Sequence, residues 1–275
     1  MSKSLEAVFS PHKFTPYIIT QQMDFDGLWK TNQGLLFSSM AHIAYFNKKK
    51  AADFLNQLQV NSFYFYDCNG AQAFLAIWQD KAILSFRGTQ PSEARKNKWP
   101  KLGFFRRLKL NYTHHLWLDA QSSFFINNDI LADLKLIPTK FDEYEDVVVH
   151  SGFLEELNKL WPEIRKDIEK HVAERPIWTT GHSLGGAIST LAAMRYPFEN
   201  VITFGEPRVG SNIDLAFKAK NHLRYVNGKD PVPTVPPEFI FDYKHHGIEK
   251  NIIVKNGEAD IRFDHSIIFY SENLI

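Results

Sequence analysis

Cysteine is almost absent from this chain: Cys68 is the only one among 275 residues. No intramolecular disulfide can form, which excludes the stapled scaffolds that small secreted domains use in place of a large core. Its own role reads as a small packing residue beside a turn. Long apolar runs are missing too, and no stretch approaches the roughly 18 residues that a membrane-spanning helix needs. The first ten residues, Met1 to Ser10, hold no long apolar segment, so no Sec signal peptide is expected there. The location this implies is cytoplasmic, or export by a route without such a signal. Nor is there an excess of one charge. Lys and Arg number 32 against 31 Asp and Glu, and a net charge of +1 gives no reason to expect a nucleic-acid partner. No Cys/His cluster has metal-ligand spacing, so neither a metal nor another cofactor is expected. Internal repeats, low-complexity tracts and linkers are lacking as well, which predicts one domain over residues 1–275.

What is present is apolar and aromatic. Hydrophobic residues make up 44% of the chain and include 23 Phe, enough for a sizeable core. Residues 1–30 are mixed and aromatic and read as extended structure draped over the domain. Gln33 to Leu58 has apolar residues at helical spacing, among them Leu36, Met40, Ile43, Ala44 and Leu55, and predicts one long helix or two consecutive ones. Ser62 to Asp67 and Ala71 to Gln79 read as strands joined at Cys68-Asn69-Gly70, a hairpin. Ala82 to Phe86 is a strand ending at Arg87-Gly88-Thr89, and Val147 to Val149 is another, before an amphipathic helix over Leu154 to Ala173. From Pro176 onward strand and helix alternate: a strand at Pro176–Thr180, a helix at Ala187–Arg195, a strand at Asn200–Phe204, a helix at Ile213–Lys220 and a strand at Leu223–Asn227. That alternation predicts an α/β fold with a mainly parallel sheet. Phe239 to Val254 resembles a pair of strands.

The stretch Gly181-His182-Ser183-Leu184-Gly185-Gly186 fits G-x-S-x-G between a strand and a helix. In that setting the pattern is a nucleophile elbow, a sharp turn that lifts the serine hydroxyl clear of the sheet. Bulky residues two positions either side of Ser183 would clash. A serine nucleophile needs a base, and the base needs an orienting acid, in the chain order Ser, Asp or Glu, His. Asp230 fits the acid: it follows a strand and precedes the rigid turn Pro231-Val232-Pro233. Asp242 and Asp264 are weaker alternatives. His265, in a loop leading into a terminal helix, fits the base better than His245 or His246. His182 is too near Ser183 in the chain to reach its hydroxyl. For the oxyanion, the N–H of Leu184 is one donor, and Thr89, behind the close-approach residue Gly88, is placed to supply a second.

These residues, with their neighbours, resemble the class 3 lipases, the fungal triacylglycerol-lipase-like branch of the α/β-hydrolases. The stretches that carry the resemblance are Phe86-Arg87-Gly88-Thr89, Val149 to Phe153, Thr180 to Ala187, Thr203 to Gly210, Asp230 to Pro233 and Asp264-His265, collinear over residues 86 to 265. The resemblance implies the α/β-hydrolase fold, Ser183 as nucleophile, Asp230 as acid, His265 as base, and Thr89 with Leu184 as oxyanion hole. It implies an acyl-lipid substrate. It also implies a structural part for His246-Gly247-Ile248-Glu249. The departures are a missing signal peptide and disulfides, which many secreted members have, and a long basic segment after Thr89 where the family places a short helical lid. Residues 90–128 therefore read as a lid or insertion.

Between Arg95 and Lys109 this segment carries seven basic residues and no acidic one, interleaved with Trp99, Phe104 and Phe105. With Trp117 it has the composition of an interfacial element, and residues 95–117 are expected to meet an anionic lipid surface; a solvated surface insertion has the same composition. The function expected is serine carboxylic-ester hydrolysis of acyl lipids. The alternatives are a non-catalytic lipase-like interaction module, and acyl transfer or thioester hydrolysis on the same triad.

Overall fold

The structure, a computed structural model, describes residues 5–89, 137–142, 144–255, 259–261 and 263–275. The predicted insertion at 90–128 and the basic segment at 95–117 lie outside the described residues.

Period-2 patterning sets the central layer. Strands β1 (Ser62–Cys68), β2 (Ala71–Ile77) and β3 (Ala82–Phe86) pair antiparallel as a meander. On β2 and β3 alternate residues face opposite cores: Ala73, Leu75, Leu84 and Phe86 one way, Phe74, Ala76 and Ile83 the other. From β3 the sheet continues parallel through β6 (Ile177–His182), β7 (Asn200–Phe204), β9 (Asn221–Asn227) and β10 (Ile248–Ile252). The spatial order is β1-β2-β3-β6-β7-β9-β10. A smaller antiparallel sheet joins β4 (Pro138–Phe141), β5 (Tyr144–His150) and β8 (Gly210–Ser211). The strand predicted at Val147 to Val149 belongs to this second sheet.

Helices cover both faces of the large sheet. On one side lie α6 (Ser151–Asp167), which runs on into a π-type turn at Ile168–Val172, and α7 (Leu184–Arg195). The sequence of α7, LGGAISTLAAMR, is small and apolar all round, and it is buried from Gly185 to Met194, as a helix without a polar face must be. On the other side lie α4 (Gln33–Ile43), α5 (Lys48–Gln57) and a terminal helix, α9 (Ile267–Asn273). The region predicted as one or two helices is two. Asn32 caps α4, its Oδ1 accepting from Leu35 N–H at 3.0 Å, and Asn47 caps α5 in the same way through Lys50 N–H at 3.0 Å.

Three expectations are overturned. Residues 1–30 are not extended: α1 (Leu5–Phe9), a 3-10 turn at Pro11–Lys13, α2 (Tyr17–Thr20) and α3 (Phe25–Thr31) pack Ala7, Ile18, Phe25 and Leu28 into the core around α4. The helix predicted over Ile213–Lys220 is only a 3-10 turn at Ile213–Leu215. Its 3-10 bonds stop at Ala216, and Lys218 N–H and Lys220 N–H donate instead to Ala193 and Phe198 carbonyls across the layer. The strand pair predicted over Phe239 to Val254 is a short helix α8 (Glu238–Phe241) and a single edge strand, β10, paired with β9 rather than with its own neighbour.

Candidate active site

Ser183 stands between β6 and α7 with φ 58° and ψ −128°, a backbone conformation that a side-chain-bearing residue adopts only under constraint. The constraint is visible. Ser183 N–H donates to the Phe204 carbonyl on β7 at 2.9 Å, and its own carbonyl accepts from Gly186 N–H at 2.9 Å. A Cβ on Gly185 would lie 2.2 Å from the Phe86 carbonyl oxygen, and one on Gly181 would lie 2.2 Å from Gly185, so both flanking glycines are required by close approach. Leu184 begins the helix. Its N–H is one of those in the first turn with no intrahelical acceptor, and the positive end of the helix dipole lies beside Ser183.

Asp230 follows β9 and is buried, its carboxylate surrounded by donors. Val232 N–H donates to Oδ1 at 2.9 Å, and Tyr270 O–H donates to Oδ2 at 2.6 Å. His265 Nδ1 lies 3.0 Å from Oδ1 and 2.9 Å from Oδ2. An ionised carboxylate only accepts, so His265 carries its proton on Nδ1 and has a lone pair on Nε2. The pair sits beside the elbow through Gly205, the residue after the Phe204 carbonyl that holds Ser183. Gly205 has φ +58°, and a Cβ there would lie 2.6 Å from Asp230 Oδ2 and 3.0 Å from His265 Nδ1. The rings of His265 and His182 approach to 4.6 Å between centroids. Ser183, Asp230 and His265 thus share the C-terminal edge of the parallel strands.

Thr89 lies just past the end of β3, half-buried. Its Oγ1 is shielded from solvent and has no hydrogen-bond partner among the described residues. An orphaned hydroxyl at this edge is the kind of group that a substrate atom would satisfy. Arg87 is a brace: it is half-buried and bonds the Gln72 side chain at 2.8 Å and the Gly70 carbonyl, clamping the β2–β3 edge.

The alternatives are accounted for otherwise. Asp264 accepts from Lys229 N–H and Asp260 N–H, each at 2.8 Å, and so holds a turn. Asp242 is exposed and pairs with Lys244 at 3.6 Å. His245 bonds the Pro233 carbonyl at 2.7 Å. His246 meets Asp214 and His222. His182 is buried, and burial with the nearby His265 ring holds it well below the usual imidazole range, so it is neutral. Beyond the elbow, Glu206 accepts from Thr190 at 2.6 Å and Thr203 at 2.5 Å and lies 3.0 Å from His222 Nε2. Burial alone would raise its pKa, but the His222 charge and hydrogen bond, with the hydrogen bonds of the two threonines, outweigh it and hold Glu206 down to about 2. Tyr270, Tyr45 and Gly205 are the residues at this site that the sequence reading does not single out. The one local signal was the position of Tyr270 on the helix that His265 leads into.

Comparison with known proteins shows what the chain is similar to. The chain matches the model of the family described as lipase (class 3) over residues 122–240. It is 36% identical over 108 residues to "Secreted mono- and diacylglycerol lipase 1" of Fusarium solani, a match covering 35% of this chain and 32% of that protein. To "Toxin TseL" of Vibrio cholerae it is 28% identical over 187 residues, covering 63% of this chain and 29% of the relative. The chain therefore spans about a third of the length of these relatives. Among solved structures, a Rhizomucor miehei lipase propeptide complex superposes with a TM-score of 0.54 at 19% identity, covering 88% of this chain and 77% of that one. The shared feature is the fold, that of an α/β-hydrolase with a mostly parallel sheet flanked by helices.

Proposed function

We propose that this chain, which is similar to the class 3 lipases over residues 122–240, hydrolyses carboxylic esters of acyl lipids through Ser183, His265 and Asp230. The observation that carries this reading is the Ser183 elbow, with φ 58°, standing beside a His265–Asp230 pair at 2.9 Å.

Ser183 Oγ attacks the ester carbonyl while His265 Nε2 takes its proton. Asp230 fixes the Nδ1–H tautomer and stabilises the imidazolium as it forms. The carbonyl oxygen becomes an oxyanion that the N–H of Leu184 and the N–H and hydroxyl of Thr89 hold, the latter through the Oγ1 that has no other partner among the described residues. His265 returns its proton to the leaving alcohol, and an acyl-Ser183 ester remains. Water then attacks this ester as His265 takes the water's proton, and collapse releases the fatty acid and restores Ser183. No step needs an oxidant, a reductant or a second substrate besides water.

The mono- and diacylglycerol lipase among the relatives supports neutral acylglycerols as the first substrates to try, with phospholipids cleaved at the sn-1 ester as the neighbouring class. Binding to an anionic interface through residues 95–117 is supported by composition. Vesicles of anionic lipid should bind the wild type more tightly than a variant neutralised at Arg106, Arg107 and Lys109, and equal binding contradicts this part.

The test of the activity is hydrolysis by wild type and Ser183→Ala across acyl chains from short to long, with and without a lipid interface. The variant should lose roughly 10⁴-fold or more in kcat. Long-chain preference at an interface supports a lipase, and preference for short esters in solution an esterase. Wild-type turnover of acyl-CoA but not of oxygen esters moves the reading to thioester chemistry. No turnover of any of these removes it in favour of an interaction module.

A further inference from the structure

Tyr45 lies in the turn after α4, 137 residues away in sequence from the elbow residue it touches. Its hydroxyl is 2.8 Å from Nδ1 of His182. Gly88 packs against the same hydroxyl, so closely that a Cβ there would lie 2.1 Å from it. On the far side of the ring, His182 Nε2 is 2.7 Å from the backbone carbonyl of His265. Both Tyr45 and His182 are buried, at 4% exposure each, so no water is needed to complete the set.

The direction of every bond follows. A carbonyl oxygen only accepts, so Nε2 of His182 carries the ring proton. The ring is neutral, so Nδ1 has a lone pair and accepts from the Tyr45 O–H. A directed chain of two bonds results, Tyr45 O–H to His182 and His182 Nε2–H to the carbonyl of His265, with Gly88 packed against the Tyr45 end. It touches three loops that the reaction needs in register. Gly88 precedes Thr89, His182 precedes Ser183, and His265 is the base.

We propose that Tyr45 and His182 are positioning residues: through these two bonds and the Gly88 contact they fix the oxyanion-donor loop and the base loop against the nucleophile elbow. The proposal rests on the hydrolase reading above. Neither residue is a proton carrier in it. What the chain supplies is distance, in a site where a misplacement of ~1 Å costs on the order of 10²-fold in rate. Both bonds join His182, at the end of β6, to segments outside the sheet, the turn after α4 and the loop before α9, so backbone hydrogen bonding within the sheet does not already impose the same constraint.

The test compares wild type with Tyr45→Phe, which keeps the ring and removes the hydroxyl. Two probes are used: a short soluble nitrophenyl ester, and an aryl boronic acid, which forms a tetrahedral adduct with a serine nucleophile without turnover. Expected for the variant are a fall of ~10- to 100-fold in kcat, KM within about two-fold, and boronate affinity reduced by a factor close to that in kcat. The acid limb of the pH profile should stay in place, because the His265 ring keeps its own partner, Asp230. Wild-type kcat and boronate affinity in the variant overturn the proposal, as does a loss confined to KM. A second measurement needs no variant. In histidine-labelled wild type, nitrogen NMR should show His182 as the neutral Nε2–H tautomer from pH 5 to 9, where the order of bonds requires it. An Nδ1–H tautomer, or titration within that range, also overturns the proposal. Failure of the hydrolase reading looks different: the wild type turns over no ester and Ser183 forms no phosphonate adduct, whatever the His182 tautomer.

Discussion

Asp230 has three donors, and the contribution of each differs. Val232 N–H is backbone and fixed by the turn, and His265 is the partner that the reaction uses. Tyr270 is the third, fully buried, its hydroxyl 2.6 Å from Oδ2. Removing it by Tyr270→Phe leaves the carboxylate more dependent on His265 to balance its charge, which favours the imidazolium. The acid limb of kcat/KM should therefore move up by ~0.5 pH unit or more, with a loss of about 1–3 kcal/mol in stability for an under-satisfied buried carboxylate. A pH–rate profile together with urea unfolding checks both, and an unmoved limb would show that Tyr270 is structural only. This is the opposite signature to Tyr45→Phe, which should lower kcat and leave the limb in place. At this scale the sequence is legible where chemistry has a local pattern. Ser183 announces itself by two glycines at fixed offsets. Asp230 and His265 follow from chain order and from prolines or an apolar run beside them. Tyr45 and Tyr270 carry no such mark. They reach the site across 137 and 40 residues of chain, and only packing of α4 and α9 on the same face of the sheet brings them there.

The strands were readable because alternation survives even where both faces are buried, as in β2 and β3, and because Asn69-Gly70 marks the β1–β2 hairpin. Short helices were not. Those of the first 31 residues run four to seven residues each, too short for an apolar period to repeat, and they are helical because α4 and α9 offer surface to cover. Two long-range bonds pin them: Ser266 O–H to the Ala7 carbonyl at 2.8 Å and His42 Nε2–H to the Pro11 carbonyl at 2.8 Å. Ile18, 0% exposed, is the apolar anchor of α2. Ile18→Ala should cost about 2–5 kcal/mol in denaturant unfolding, while an extended, loosely draped segment would cost under about 1. The elbow gives a second test at this scale. In Gly185→Ala the methyl would meet the Phe86 carbonyl at 2.2 Å, backbone against backbone. The gain of about 1 kcal/mol in helix propensity is smaller than the cost of pushing α7 off β3. The variant should melt lower than wild type and label slowly with a phosphonate, and a fully reactive, equally stable variant would contradict the packing described here.

Among the described residues several imidazoles are buried neutral and the Glu206 carboxylate is buried ionised, and together they shape the response to acid. Burial lowers His42 from 6.5 to about 4, against a smaller opposing effect of its bond to Pro11. Between those values the unfolded chain binds a proton that the folded one refuses, so the stability from this residue is complete above about pH 6.5 and is lost as pH falls toward 4. A shift of that size corresponds to at most about 3 kcal/mol. His150 and His245 are lowered to about 4 as well, by burial first, and add in the same window. Glu206 acts lower. Held at about 2 instead of 4.5, it contributes fully above pH 4.5, and its share disappears as pH falls toward 2. The two windows adjoin and have the same sign, so unfolding free energy should fall without a plateau from about pH 7 to 2. The histidine window is separable. His42→Gln keeps a donor for the Pro11 carbonyl and removes the titration, so its melting temperature should drop less than that of wild type between pH 7.5 and 5, with the two curves running parallel below pH 4. Curves parallel throughout would mean that His42 takes up its proton in the folded protein, and that α4 and the N-terminal helices open at mild acidity before the sheet does.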